Sequence, residues 1–217
     1  MINSRVNALI GGCLTACALL GSGSAVAISD AARQLQQQWD VAKYQTAKPA
    51  REKALEKLVA EAKIAQQKSA NDAEVLVWEA IILSTYAGEK GGLGALSLVK
   101  EAKVLLESAE KIDATVLNGA LYTSLGSLYY QVPGWPIGFG DSDKAQRYLQ
   151  KALEMAPDDI DANFFYGDYL AAEGRYPEAM AVLEKALQAP PRPGRDIADT
   201  GRKEEIKQLL EKVKSKM

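Results

Sequence analysis

The sequence contains no histidine at all, and its two cysteines, Cys13 and Cys17, both lie within the first twenty of 217 residues. A chain without imidazoles, and without thiols beyond its N-terminal stretch, lacks the usual nucleophile and base of hydrolytic sites, the ligands of structural zinc and the makings of a disulfide framework. Charge of one sign is also missing: 26 basic and 28 acidic residues mix along the chain to a formal net charge of -2, so no basic face stands ready for a nucleic-acid backbone. Long hydrophobic runs are confined to one place. Val6 to Leu20 is apolar and uncharged after Arg5, and Ala25-Val26-Ala27 follows it. That order reads as a signal peptide over residues 1–27, cut after Ala27, and it predicts a soluble periplasmic chain over residues 28–217 with no transmembrane segment. Leu14-Thr15-Ala16-Cys17 also fits a lipobox, so lipid anchoring through Cys17 is the alternative.

What remains, 47% hydrophobic and 25% charged, has an ordinary globular composition. Its pattern repeats. Counting from Ile160, Gly167, Leu170, Gly174, Tyr176, Ala179, Leu183, Ala186 and Pro191 occupy the small, aromatic and breaking positions of a 34-residue helix-turn-helix unit. A copy from Gly119 carries Tyr122, Leu125, Gly126 and Tyr129, then Ala145, Leu149, Ala152 and Pro157 after seven additional residues. The glycines and alanines let two helices of a unit approach, the large residues fill the rest, and proline ends the second helix.

These residues resemble the tetratricopeptide repeat. The pattern predicts an all-α, tetratricopeptide-like solenoid of about four helix pairs, over residues 30–70, 71–118, 119–159 and 160–193, closed by a capping helix over 196–216. In the second pair a long glycine-bearing turn (Gly88, Gly91, Gly92, Gly94) is expected after a helix spanning Ala73 to Tyr86. The alternating Lys and Glu of Arg202 to Lys216 read as the solvated face of the cap.

Leu125-Gly126-Ser127-Leu128-Tyr129-Tyr130, the insertion Gly134-Trp135-Pro136-Ile137-Gly138-Phe139-Gly140-Asp141 and Lys144-Ala145 further resemble envelope proteins related to the T component of TRAP transporters. That resemblance implies a periplasmic solute receptor as partner and a ligand cavity among the helices; it supplies no catalytic residues.

In such arrays the first helix of each pair lines the concave face. This places Thr123, Ser127, Tyr130 and Gln131 of the third unit, and Asp161, Phe164 and Asp168 of the fourth, in the groove. No lysine, arginine or asparagine stands at those groove positions. Trp135 and Phe139 on the inserted loop are either a recognition surface or a miniature core. The carboxylates Asp158, Asp159 and Asp161 follow Pro157 where a helix starts, so they answer its unpaired amides rather than hold a metal. The expected function is a non-catalytic interaction module, without metal or cofactor, holding a protein or peptide in its groove. The alternative is a solute-binding accessory of a TRAP-type system with a small apolar or amphipathic ligand between its helices.

Overall fold

A computed structural model describes residues 28–217; the expected signal peptide and the Cys17 lipidation site lie outside the described residues. Nine α-helices follow one another in that span: α1 Asp30–Asp40, α2 Lys48–Lys68, α3 Ala73–Lys90, α4 Gly92–Ile112, α5 Ala120–Gln131, α6 Ser142–Met155, α7 Ile160–Ala172, α8 Tyr176–Leu187 and α9 Asp196–Lys214. Strands are absent among the described residues, and no helix there is long and apolar enough to cross a membrane.

Local chemistry sets the helix starts. Ser29, Asp72, Asp141 and Asp159 each cap a helix by accepting from an amide of its first turn, and Pro49 and Pro177 sit in the first turns of α2 and α8. The helices then pair in sequence, α3 with α4, α5 with α6, α7 with α8, while α1, α3, α5, α7 and α9 pack one on the next. The first helix of each pair thus forms an inner wall and the second an outer one, the tetratricopeptide-like solenoid that the repeat pattern predicts.

Within a unit, the glycine positions work as read. A Cβ at Gly126 would stand 2.6 Å from Leu149 Cγ, and one at Gly167 2.7 Å from Leu183, the same relation in two successive units. Ala145 and Ala179 face them, fully buried.

Two expectations need correction. The second pair has no long turn: α3 continues through Gly88 to Lys90 and α4 already starts at Gly92, the break falling at Gly91 and Gly92 with φ of 63° and 62°. A glycine inside a helix weakens it without ending it, and here the flanking turns bury enough to carry the helix through. Nor does α9 present Arg202 to solvent. Arg202 is 6% exposed and Asp199 7%, both turned inward.

The solenoid is also closed on itself. After α1 the chain widens into a π-helical turn, Val41–Gln45, where the amide of Thr46 donates to the Val41 carbonyl over 3.0 Å. This turn meets α9. The ring of Tyr44 lies so close to the backbone of Gly201 that any Cβ there would fall inside it. Tyr44 Oη donates to Glu205 over 3.2 Å, Lys43 pairs with Glu205 at 3.2 Å, and Arg195 makes a two-pronged pair with Asp40 at 3.1 and 3.2 Å. Residues 155 to 162 positions apart in sequence are thereby joined.

Candidate functional site: a cavity at the centre of the ring

Closure turns the concave groove into a cavity of about 440 Å³. Every inner element contributes: Trp39 from α1, Trp78 and Ile81 from α3, Thr123 and Ser127 from α5, Asp161 and Phe165 from α7, and Arg195 and Arg202 from the last segment. Arg33, exposed on α1, stands at the rim.

One side of the cavity is aromatic. Trp39 and Trp78 lie 5.9 Å apart with their planes at 56°, and Trp39 Nε1 donates to Thr85 Oγ1 at 2.8 Å. Phe165 packs edge-on against Phe164 at 5.2 Å. The floor includes Leu117 and Asn118, whose φ values of 51° and 46° put two consecutive non-glycine residues in the left-handed region. Backbone in that region costs energy and persists where surrounding structure imposes it, often around ligand sites.

Set over these rings is a network of arginines and carboxylates, with the Arg195 guanidinium 5.3 Å from the Trp78 ring centre and that of Arg202 4.9 Å from the Phe165 ring centre. Arg192 reaches Asp161 at 2.7 Å, Asp159 at 3.4 Å and Asp199 at 2.7 Å; Arg202 donates from Nε to Asp161 at 2.6 Å and from Nη1 to Glu205 at 2.6 Å. Burial alone would push the Asp161 carboxyl up, but Arg202 and Arg192 outweigh it and hold it well below the usual carboxylate range. Asp159 shifts the other way, raised by burial and by the charge of Asp161. Asp40 is likewise raised, burial outweighing the pull of Arg195.

Two guanidinium nitrogens in this network stay available. Nε and Nη2 of Arg195 serve Asp40, and Nε and Nη1 of Arg202 serve Asp161 and Glu205, leaving Nη1 of Arg195 and Nη2 of Arg202 with no protein acceptor among the described residues. The hydroxyls across the cavity are arranged oppositely. Ser84, Thr123 and Ser127 turn their O–H back to carbonyls of their own helices, at 2.7, 3.2 and 2.9 Å, so each presents only lone pairs.

Of the sequence-derived candidates, Thr123, Ser127 and Asp161 line this cavity. Tyr130, Gln131 and Asp168 form a separate chain beside it: Gln131 donates to Tyr130 Oη at 2.9 Å, which donates to Asp168 at 2.6 Å. Burial, and then the Asp168 charge, raises the Tyr130 pKa well above its ordinary value. Phe164 is covered by Arg202, whose guanidinium lies 4.3 Å from the ring centre, and its neighbour Phe165 faces the cavity in its place. Asp159 caps α7 as expected, accepting from the amides of Asp161 and Ala162 at 2.9 and 2.8 Å. Asp161 pairs with arginine rather than with amides.

The inserted loop divides. Phe139 packs edge-on against Tyr129 at 5.6 Å under Lys103, a small core, while Trp135 is 90% exposed and Ile137 64%. Hydrogen bonds from Ile137, Gly138 and Gly140 back to Gly134 and Pro133 hold the loop in shape.

Sequence reasoning missed Arg192, Arg195 and Arg202. They lie on the connection to α9 and on α9 itself, outside the groove positions of the repeat; Asp161 of α7 holds Arg192 and Arg202, and Asp40 across the junction holds Arg195.

Residues 137–193 match a tetratricopeptide repeat family model. The match covers the inserted loop from Ile137, the helix pair α7 and α8 and the helix before it, which is the stretch where the sequence pattern is cleanest. The crystal structure of a thermophilic TPR protein of Thermus thermophilus is similar over 81% of this chain and 99% of its own length, with 20% identity and a TM-score of 0.42. No curated protein matches the chain.

Proposed function

We propose that this chain is a non-catalytic binding module whose site is the central cavity, and that it takes a small amphipathic molecule. The observation that carries this reading is the joining of the π-helical turn to α9, which leaves about 440 Å³ lined by aromatic rings with spare guanidinium donors set over them. Cavities of roughly 300–1,000 Å³, mostly apolar with a few placed polar groups, are the usual size and character of small-molecule sites. An apolar body lies against Trp39, Trp78, Ile81 and Phe165, and an acceptor group such as a carboxylate meets Arg195 and Arg202. A folded partner does not fit such a space.

Calorimetric titration with decanoate, decanol and decylammonium tests this directly. Decanoate is expected to bind most tightly, and Ser127→Phe, which fills the cavity from α5, to abolish binding while the helical signal is retained. Equal, weak uptake by both chains would contradict the reading.

A second reading, docking of a protein partner, is supported by Trp135 and Ile137, two large apolar side chains held out by a hydrogen-bonded loop. Aromatic anchors of this kind commonly carry much of a protein interface. The two readings combine if the module is exported, with cleavage after Ala27, and presents its cargo to a periplasmic solute receptor, as the resemblance to TRAP T components implies. An intact mass of the exported chain that begins at Ile28 is the expected outcome, and a lipid-modified Cys17 would replace it with membrane anchoring.

A further inference from the structure

The contact that closes the ring differs in kind from the contacts that build it. Neighbouring helices of the solenoid bury leucine, valine, alanine and tyrosine against each other. The junction of residues 40–44 with α9 rests instead on three polar contacts, Asp40 with Arg195, Lys43 with Glu205 and Tyr44 Oη with Glu205, around the Tyr44 ring packed on Gly201. The members of the Asp40–Arg195 pair are 5% and 11% exposed, and those of the Lys43–Glu205 pair 25% and 28%.

Two structural details prepare this junction. The helix is widened to π geometry just where Lys43 and Tyr44 leave it, a local distortion that recurs at functional sites. The partner position on α9 is glycine, where any side chain would displace the tyrosine. Arg195, which reaches across the junction to Asp40, also lines the cavity.

In a solenoid each unit contacts only its neighbours, so separating the two ends leaves every helix pair and its core intact. We propose that the junction between the π-helical turn and α9 is a gate, which opens to admit ligand into the central cavity and closes over it. This rests on the cavity being the binding site. Closure brings Arg195 against Asp40 and leaves its remaining N–H group at the cavity wall, so a bound acceptor group stabilises the closed ring and an empty cavity does not. The gate is electrostatic in part, and salt weakens its more exposed pair.

The test uses the full chain with Cys13 and Cys17 replaced by serine and spin labels at Gln37 and Lys207, both exposed and outside the junction. Pulsed electron resonance is expected to give one short distance in low salt and a second, longer population at 1 M salt. Asp40→Asn should raise that longer population at least threefold, and Gly201→Leu, which displaces Tyr44 without touching a charge, should do the same. Helical content is expected to be unchanged in both. A single distance in all four conditions overturns the gate, whatever the cavity binds.

A kinetic arm separates this outcome from failure of the binding reading. In the same cysteine-free background, Lys43→Cys and Glu205→Cys joined by a short bismaleimide should slow both uptake and release of the fluorescent probe anilinonaphthalene sulfonate at least tenfold. Wild-type rates in the bridged chain mean that the cavity fills by another route and refute the gate. A second distance without any probe binding would retain the gate and sink the binding reading.

Discussion

Glu79 is the clearest case of one residue whose environment sets its chemistry. It is 3% exposed on α3, its Oε2 has no hydrogen-bond partner, and the pair Lys63–Glu101 lies beside it. Burial, reinforced by Glu101 and opposed by Lys63, pushes its carboxyl from an ordinary 4.5 up to about 7. The unfolded chain therefore ionises first as pH rises, and the fold, which keeps the proton, loses stability between about 4.5 and 7 and no further above that. Glu79→Gln removes this loss. Chemical unfolding should find the variant about 1–3 kcal/mol more stable than wild type at pH 8, with the gap shrinking toward pH 5. A constant difference across that range would mean that Glu79 is ionised in the fold. Nothing in the sequence marks Glu79: it stands in a helix hydrophobic on nearly every face, where a lone carboxylate reads as the solvated side.

At the scale of elements, the units were legible because their signals are local. Gly167 and Ala179, Leu170 and Leu183, and the closing proline act within one helix pair, and the same spacing returns from Gly119. Replacing Gly126 or Gly167 by Leu puts a side chain where Leu149 or Leu183 already sits at 2.6 or 2.7 Å. Each variant should lose on the order of 1–3 kcal/mol in thermal unfolding, since the pair has no spare volume. The turn of the second pair departs from its expected length for a physical reason. Glycine breaks a helix only where the backbone adopts a conformation closed to other residues, and of Gly88, Gly91, Gly92 and Gly94 only the middle two do. The inserted loop was legible as ordered, and the structure separates its two roles. Trp135→Ala with Ile137→Ala should leave the melting temperature within about 2 °C, because neither side chain packs, whereas Phe139→Ala should cost roughly 1–2 kcal/mol by uncovering Tyr129. Equal losses in circular dichroism melts of the two chains would put Trp135 in a packed environment.

The whole molecule depends on contacts that no repeat pattern contains. Tyr44 meets Glu205 across 161 positions, and Asp40 meets Arg195 across 155. Neither pair falls on a repeat position, so a groove was legible and its closure was not. Closure adds Arg195 to the site, Asp161 of α7 adds Arg192 and Arg202, and Tyr130 and Asp168 pass to a neighbouring network. The central claim, that the closed cavity holds a ligand, can be read from the chain's own fluorescence. Of its three tryptophans, Trp39 and Trp78 line the cavity and Trp135 stands in solvent, so Trp135→Phe leaves emission from the cavity alone. Titration of that variant with decanoate should shift and quench the emission to saturation at one molecule per chain, and Arg195→Gln should weaken the response about tenfold or more. Emission that stays constant through the titration, in a chain that remains folded, would contradict the account.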